Sequence, residues 1–362
     1  MGVYMSIMMG FNRPLPVASL SISTMPSWWY YGYGMQFGEK YIFDAEYRVG
    51  SEREMRRILY DCFGHIGLGE ADPPPVFSAP DFGNVTIMAA AGADIVYPQD
   101  NFPRSTHFSV EKCRILELPE KIEEVFPYSE ILRQTIWQNE MFGFDIRPFF
   151  MPRSVVSETY NLMGEDYYPL MLDGDPVALN VTEYCARMFE MSVDYNCQKS
   201  NFHILDSWKG VTLFNCASQI CGPSFYNDFY KPYDLRLAKK IKSYGLTPGL
   251  HHCGIFDKFL DTYQSLFAEA EVESTYLEAG WGSDVSEIFK RFPDVKIINH
   301  YISPAFLMLS TPAEIKDVIS GLLGSCHDNL KRLNIAAFDL EYGTPAENIE
   351  AMYQAIAEYA PN

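Results

Sequence analysis

The chain has 362 residues; 28 are Lys or Arg and 47 are Asp or Glu, which gives a formal charge of −19. A chain this acidic is a poor general nucleic-acid binder, since phosphates need cationic side chains, and it is poorly suited to anionic membrane surfaces. Apolar residues make up 48% and charged residues 21%, the balance of a folded protein rather than a disordered one. The length accommodates one large domain or two average ones.

The eight cysteines contain no C-x-x-C pair, a distribution typical of buried thiols in a reducing compartment. No apolar run reaches the roughly 20 residues of a transmembrane helix. The first residues lack the basic region of a signal peptide. We therefore expect a cytoplasmic protein with neither a nucleic-acid nor a membrane partner.

Residues 1–110 differ in composition from the rest of the chain. They contain the aromatic run 28–33 and a loop with prolines at positions 73, 74, 75 and 80. These features predict an irregular N-terminal extension over residues 1–110, and one role open to it is to cap the following domain.

From about residue 145 onward, short apolar segments alternate with amphipathic helical stretches. This alternation is typical of parallel βα units, which build TIM barrels and doubly wound sheets. Because no glycine-rich phosphate turn follows any strand, we predict an α/β fold, a TIM (β/α)8 barrel over residues 111–362. The predicted strands are 145–150, 211–214, 247–251, 275–278, 295–299 and 335–340, and the predicted helices are 178–193, 225–243, 257–270, 284–291, 312–330 and 345–359.

Two of these helices begin with the same tetrapeptide, Thr-Pro-Ala-Glu, at 311–314 and 344–347. Threonine at the N-cap, proline at the first helical position and glutamate at the third are typical of a capping box. The sequence therefore predicts two helices with the same start.

Polar residues follow several of the predicted strands. In a TIM barrel the functional residues lie at the carboxyl ends of the strands, so we expect these side chains to converge on one mouth. They are Asn215, Cys216, His251, His252, Cys253, Glu278, Asn299, His300, Asp339 and Glu341.

The strongest local signal is the sequence His251-His252-Cys253. In an extended segment, residues two apart share a face, so His251 and Cys253 should point one way and His252 the other. An imidazole and a thiolate on one face form part of a zinc site, and a catalytic zinc takes about three protein ligands. The same spacing places Asp339 beside Glu341.

For several other residues a role in packing or helix capping, rather than in catalysis or binding, stays open. Cys216 and Cys221 are typical of buried thiols, and His300 of a hydrogen-bonded core histidine. Glu278 fits the cap of a helix. The aromatic run 28–33 fits packing within the extension as well as a wall over a substrate.

The order of several motifs resembles the uroporphyrinogen decarboxylase superfamily, including its cobalamin-linked methyltransferase branch. The likeness covers roughly the last 200 residues and implies a TIM barrel. Its motifs look like "S-P-x-x-F", "G-x-P…L-H-x-C-G", "G-N-x-D-P" and "T-P-x-E-N", at 221–226, 243–254, 301–304 and 344–349.

The departures from the family pattern are informative. Uroporphyrinogen decarboxylases carry an arginine-rich segment near the N-terminus that grips the carboxylates of the substrate. Residues 1–47 here hold one arginine, Arg13, so the chain is a poor match for a polyanionic tetrapyrrole. The methyltransferase branch binds zinc, and its ligands correspond to His251 and Cys253. A further cysteine of that branch falls near Phe338, where this chain has none.

The resemblance thus implies a zinc-dependent methyltransferase, and we expect Glu341 as the third ligand. A set of thiolate, imidazole and carboxylate would leave zinc a strong Lewis acid that polarises an oxygen or nitrogen leaving group. This favours methyl transfer from a small methylated substrate, of the methyl ether or methylamine type, to the corrinoid of a partner protein. Residues expected to orient the substrate or move a proton are Asp339, His300, Glu278 and Asn215.

Two other functions stay open. One is a metal-free decarboxylase acting on a different carboxylate, with Arg147, Arg153 and Lys209 as candidate cations. The other is a non-catalytic homologue that docks a corrinoid protein. The sequence leaves the oligomeric state open, with a homodimer as one option.

Overall fold

The computed structural model describes residues 11–15, 17–75, 82–200, 210–274 and 276–359. Its strands are β1 (Phe11–Pro14), β2 (Ser19–Thr24), β3 (Gly210–Phe214), β4 (Thr247–His252), β5 (Tyr276–Ala279), β6 (Ile297–Tyr301) and β7 (Leu333–Leu340).

The first eight helices are α1 (Pro26–Tyr33), α2 (Glu39–Phe43), α3 (Ala45–Phe63), α4 (Thr86–Ala90), α5 (Val110–Arg114), α6 (Tyr128–Phe142), α7 (Val155–Met163) and α8 (Tyr167–Leu172). The next eight are α9 (Pro176–Gln198), α10 (Ser218–Phe225), α11 (Lys231–Ser243), α12 (Leu260–Ala270), α13 (Val285–Arg291), α14 (Pro304–Leu309), α15 (Pro312–Ser325) and α16 (Ala346–Ala357). A π-helical turn, Tyr226–Tyr230, joins α10 to α11. No helix in the described parts of the chain combines the length and the apolar composition that crossing a bilayer requires.

The chain forms two compact units. The terminal unit comprises Met1–Ser78, Pro98–Phe102 and Glu278–Asn362, and the central unit comprises Ala79–Tyr97 and Pro103–Leu277. Strand β5 is divided between them after its second residue.

In the terminal unit the strands follow the order β1-β2-β7-β6-β5. β1 is antiparallel to β2, whereas β2 and β6 each run parallel to β7. Leu20 of β2 pairs with Ile335 of β7, so a strand from the first 110 residues joins the same sheet as a strand near the end of the chain. The compact units therefore do not follow the boundary expected at residue 110.

In the central unit the order is β5-β4-β3, and β3 runs parallel to β4. The pairing extends from Gly210 opposite Thr247 to Phe214 opposite His251. Helix α11 packs against β4 and buries Leu237, with the neighbouring helices α9 and α12 on its other sides. This register determines which residues meet where the two strands end.

The predicted strand at 145–150 is wrong, because this segment has no regular secondary structure. The backbone of Phe150 instead bonds the side chain of Asn196: its N–H donates to Asn196 Oδ1 at 2.9 Å, and its carbonyl accepts from Nδ2 at 2.8 Å. A side-chain amide thus satisfies the groups that a neighbouring strand would otherwise bond.

The two identical tetrapeptides behave differently. Thr311 forms the predicted capping box, since its hydroxyl accepts from the Glu314 N–H at 3.4 Å and its N–H donates to Glu314 Oε2 at 2.8 Å. The second box is wrong. The Thr344 hydroxyl donates to the Glu341 carbonyl at 3.0 Å, and the helix begins at Ala346.

Candidate metal centre

Three side chains that commonly bind metals meet in the central unit. The Cys253 Sγ lies 2.8 Å from the Cys216 Sγ and 2.7 Å from the His251 Nε2. All three ligand atoms lie within 4.8 Å of one another. Cys253 is exposed and the other two are partly exposed, so solvent reaches the cluster.

The backbone explains why these side chains meet. His251 lies in β4 and Cys253 just beyond it, two residues apart, so both project from the same face. His252 between them projects from the opposite face and is fully buried. These placements confirm the orientations predicted from the alternation of an extended segment.

Cys216 joins them through the β3–β4 register. Phe214 pairs with His251, and the Asn215 N–H continues the ladder by donating to the His251 carbonyl at 2.8 Å. The same offset of 37 residues separates Cys216 from Cys253. The sequence alone favours a buried thiol at Cys216. The sequence signal for its place in the cluster is that Cys216 lies two residues beyond the predicted strand 211–214, just as Cys253 lies two residues beyond the predicted strand 247–251.

The cluster favours ionisation of one thiol. A hydrogen bond from Cys253 lowers the pKa of the Cys216 thiol well below its ordinary value, and His251 adds to this effect, while burial opposes it. Because the thiolate is the form that binds metals, this environment prepares the site for a cation.

Two sulfurs and one imidazole nitrogen match the donor set of a catalytic zinc centre, in which three protein ligands leave one position for a substrate. Cys216, His251 and Cys253 are therefore the residues that could hold zinc here. Glu341, the expected third ligand, is not a member of the cluster.

Polar side chains form a second group in the terminal unit, which we call the polar row: Ser21, Asn334, Asn299 and Glu278 on strands β2, β7, β6 and β5. Asn334 Nδ2 donates to Asn299 Oδ1 at 2.6 Å and to the Ser21 hydroxyl at 2.9 Å. Asn299 in turn donates to Glu278 Oε1 at 3.2 Å. Tyr301 donates its hydroxyl proton to Glu278 Oε2 at 2.6 Å, so hydrogen bonds hold the Glu278 carboxylate from two sides.

A match to a family model accounts for most of the chain. The model of the uroporphyrinogen decarboxylase (URO-D) family matches residues 81–359. The chain belongs to the URO-D family. The predicted α/β fold, a TIM barrel, is therefore confirmed.

One solved structure similar to this URO-D chain is described as a methyltransferase from Methanosarcina mazei. The two superpose with a TM-score of 0.64 over 95% of this chain and 94% of the other, at 14% sequence identity. At that identity the likeness establishes the fold alone. No curated protein sequence matches the chain.

His300 follows Asn299 of the polar row in β6 but packs elsewhere. Its ring lies 6.2 Å from the Trp281 ring in a stacked arrangement, and only 4% of the residue is exposed. Burial lowers the pKa of His300 to about 4. The imidazole is therefore neutral near pH 7, in an aromatic environment.

Asp339 does not have the extended backbone that its predicted pairing with Glu341 requires. Asp339 has a left-handed φ of 59°, and its N–H donates to the Ser23 hydroxyl at 3.2 Å. Because this backbone angle interrupts the alternation of an extended strand, the side chains of residues 339 and 341 no longer point to the same face. The Glu341 carboxylate accepts a hydrogen bond from the Ser27 hydroxyl.

The aromatic run forms helix α1 rather than an irregular segment. Trp29 is fully buried, with its indole N–H on the Thr24 hydroxyl at 2.8 Å. Tyr31 is exposed and contacts the exposed Tyr342 ring at 5.7 Å between centroids, and its hydroxyl donates to Asp100 at 2.7 Å. Part of the run is thus packing, and part presents aromatic surface to solvent.

The cations considered for a decarboxylase differ in placement. Arg147 is half exposed and pairs with Asp145 at 3.0 Å. Arg153 lies 5.7 Å from the centroid of the Phe214 ring, which is itself 5.2 Å from the His251 ring. Lys209 lies outside the described residues.

Proposed function

We propose that this URO-D family protein is a zinc-dependent methyltransferase that exchanges a methyl group between a small substrate and a corrinoid held by a partner protein. The observation that carries the proposal is the cluster of Cys216, His251 and Cys253 at the carboxyl ends of two adjacent barrel strands. That is the end of the barrel at which TIM-barrel enzymes perform their chemistry.

The cluster distinguishes this proposal from a metal-free decarboxylase. Decarboxylation of an anionic substrate calls for cationic side chains that grip carboxylates, and Arg147 is already paired with Asp145. A decarboxylase would have no use for two thiols and an imidazole in contact. The methyltransferase name of the similar Methanosarcina structure agrees with the donor set.

The third ligand bears on the direction of transfer. Zinc bound to these residues would supply a Lewis acid that ionises a thiol substrate. Two thiolates donate more electron density than the thiolate and carboxylate expected from the sequence, so this donor set favours a sulfur nucleophile over an oxygen or nitrogen leaving group. We therefore propose transfer from the methylated corrinoid to a thiol, the reverse of the direction inferred from Glu341.

In that reaction the carbon–cobalt bond breaks and a carbon–sulfur bond forms. Cobalt keeps the electron pair and leaves as cob(I)alamin, and the thiol proton passes to solvent. Cys216, His251 and Cys253 would hold the metal, and their exposure to solvent would leave a substrate sulfur a route to it.

The test combines metal content with both directions of transfer. Purified protein is analysed for zinc, then given methylcobalamin with a panel of small thiols, or cob(I)alamin with methyl ethers and methylamines. We expect near-stoichiometric zinc and conversion of methylcobalamin with thiols. Both should be lost in Cys216→Ala and retained in Cys221→Ala, a matched thiol outside the cluster.

Three results would count against this proposal. Absence of zinc after reconstitution would overturn the zinc centre and favour the decarboxylase. Transfer from ethers or amines without thiol methylation would overturn the direction. Zinc binding without transfer in either direction would favour a non-catalytic protein that docks a corrinoid partner.

A further inference from the structure

A hydrogen-bonded network lies in the central unit directly behind the metal cluster. Its six members come from the two ligand-bearing segments and from the helices that pack on them. All of them are fully buried. They are Asn215, Ser218, Tyr226, Asp234, His252 and Tyr263.

Ser218 joins the segment that carries Cys216 to the segment that carries His251 and Cys253. Its hydroxyl donates to the Asn215 carbonyl at 2.6 Å, one residue before Cys216. The same oxygen lies 3.1 Å from His252 Nδ1, the residue between the other two ligands. One hydroxyl therefore bonds both segments beneath the cluster.

Tyr263 of α12 reinforces this connection, since its hydroxyl lies 3.0 Å from His252 Nδ1 and 3.1 Å from the Ser218 Oγ. The Ser218 proton is already donated to the Asn215 carbonyl. The Ser218 Oγ, the Tyr263 hydroxyl and His252 Nδ1 therefore form one triangle of hydrogen-bonding contacts. These contacts fix the His252 ring on the buried side of β4.

Asp234 of α11 anchors the other side of the network. Its Oδ2 accepts from Asn215 Nδ2 at 2.7 Å and from the Tyr226 hydroxyl. Asn215 Nδ2 also donates to the Tyr226 hydroxyl at 3.1 Å, so the carboxylate and the phenol both contact the same amide. Asp234 in α11 thus holds the Asn215 side chain, while Ser218 at the start of α10 holds its carbonyl.

We infer that Ser218 and Asp234 are positioning residues that align the three ligands before a metal binds, an inference that rests on the proposed zinc centre. Network residues alternate with ligands along the chain: Asn215 precedes Cys216, and His252 separates His251 from Cys253. Fixing the buried side chains of such a segment fixes the direction of the exposed ones. A prealigned site loses less conformational freedom when the metal binds and therefore binds it more tightly.

The experiment measures Co²⁺ binding to the metal-free protein by the absorption of cysteine-bound cobalt, together with its thermal unfolding. Ser218→Ala and Asp234→Ala should weaken Co²⁺ binding about 10-fold or more, the range found for residues that support metal ligands. Asp234→Asn, which keeps an acceptor for both bonds, should restore most of the affinity. Thr159→Ala removes a comparable buried bond, to the Tyr230 hydroxyl at 2.8 Å, that involves none of the six network residues, and it should leave the affinity unchanged.

A second readout needs no metal. Diamide oxidises two adjacent thiols to a disulfide, taking up their two protons and two electrons, and the rate of Cys216–Cys253 closure reports their alignment. Ser218→Ala and Asp234→Ala should slow closure several-fold relative to Thr159→Ala. If the parent protein binds neither Zn²⁺ nor Co²⁺ but the two variants still form the disulfide more slowly, the zinc centre is refuted and the positioning role of Ser218 and Asp234 stands. Lowered thermal stability with unchanged closure and Co²⁺ affinity would overturn the positioning role.

Discussion

The metal cluster and the polar row both consist of polar side chains on parallel barrel strands, yet they differ in donor chemistry and exposure. The cluster presents sulfur and imidazole donors that contact one another and remain accessible. The polar row consists of two amides, a hydroxyl and a carboxylate on four strands. Each member is hydrogen-bonded to the next at 3.2 Å or less. Polar residues on barrel strands therefore do not by themselves indicate a reactive site.

The difference has an energetic side. A buried amide whose hydrogen-bonding groups are all satisfied supports a single packing arrangement. Removing that amide takes a hydrogen bond away from each of its buried partners. The cluster, by contrast, places two thiols in contact, and a bound cation would offset the repulsion between them as thiolates. Substitutions in the row should thus act on stability, and substitutions in the cluster on metal binding.

The largest expected effect comes from Cys253→Ala. Removing one of three ligands should weaken zinc binding about 1,000-fold, or about 4 kcal/mol, roughly a third of the free energy of a protein zinc site. The metal-free protein should unfold at the same temperature as the parent because Cys253 is exposed. Competition with a chelator and a thermal melt check both expectations, and a lowered melting temperature with unchanged zinc affinity would contradict the comparison.

The next effect concerns His300. Its pKa is lowered by burial to about 4, against about 6.5 in the unfolded chain, so only the unfolded chain takes up the proton between these values. Its contribution to stability is complete above pH 6.5 and is lost as the pH falls towards 4, by about 3 kcal/mol in total. His300→Phe should remove this part of the acid destabilisation, as measured by urea unfolding at pH 7 and pH 4.5.

The exposed His327 serves as the control for that experiment. The same exchange at this exposed position, His327→Phe, should leave the free energy of unfolding at pH 7 unchanged. An equal acid response in His300→Phe and the parent would show that His300 is not the buried neutral histidine described here.

A smaller loss is expected for Asn334→Ala in the polar row. The substitution removes the hydrogen bonds that Asn334 makes to Ser21 and to Asn299, at a cost of about 1–3 kcal/mol in the free energy of unfolding. Zinc affinity should not change. Urea unfolding tests the loss against Asp317→Ala, an exposed change in α15, and a large drop in zinc affinity would show that the row and the cluster are not independent.

Much of the fold is visible in the sequence because buried parallel strands are apolar runs and the intervening helices are amphipathic. Strands β3, β4 and β7 lie close to their predicted positions. The failures involve partners distant in sequence. Asn196 occupies the backbone of the predicted strand at 145–150, and the pairing of β2 with β7 joins residues more than 300 positions apart.

The candidate site shows the same limit. His251 and Cys253 are neighbours in sequence, so the alternation of an extended chain places them together. Cys216 joins them only through the register of β3 against β4, which the hydrophobic pattern leaves open. Asp339 illustrates the converse, because its left-handed φ breaks the alternation on which its predicted pairing with Glu341 depended.

The smallest expected effect is also the most informative about function. Glu341 is hydrogen-bonded to Ser27 and lies outside the cluster, so Glu341→Gln should change zinc affinity by less than about 2-fold, within the scatter of such measurements. A loss approaching the roughly 1,000-fold expected for Cys253→Ala would instead identify Glu341 as a ligand. The donor set would then include a carboxylate, the metal would be a stronger Lewis acid, and removal of a methyl group from an ether or amine would become the favoured direction. Chelator competition on Glu341→Gln beside Cys216→Ala thus decides both the third ligand and the direction of transfer.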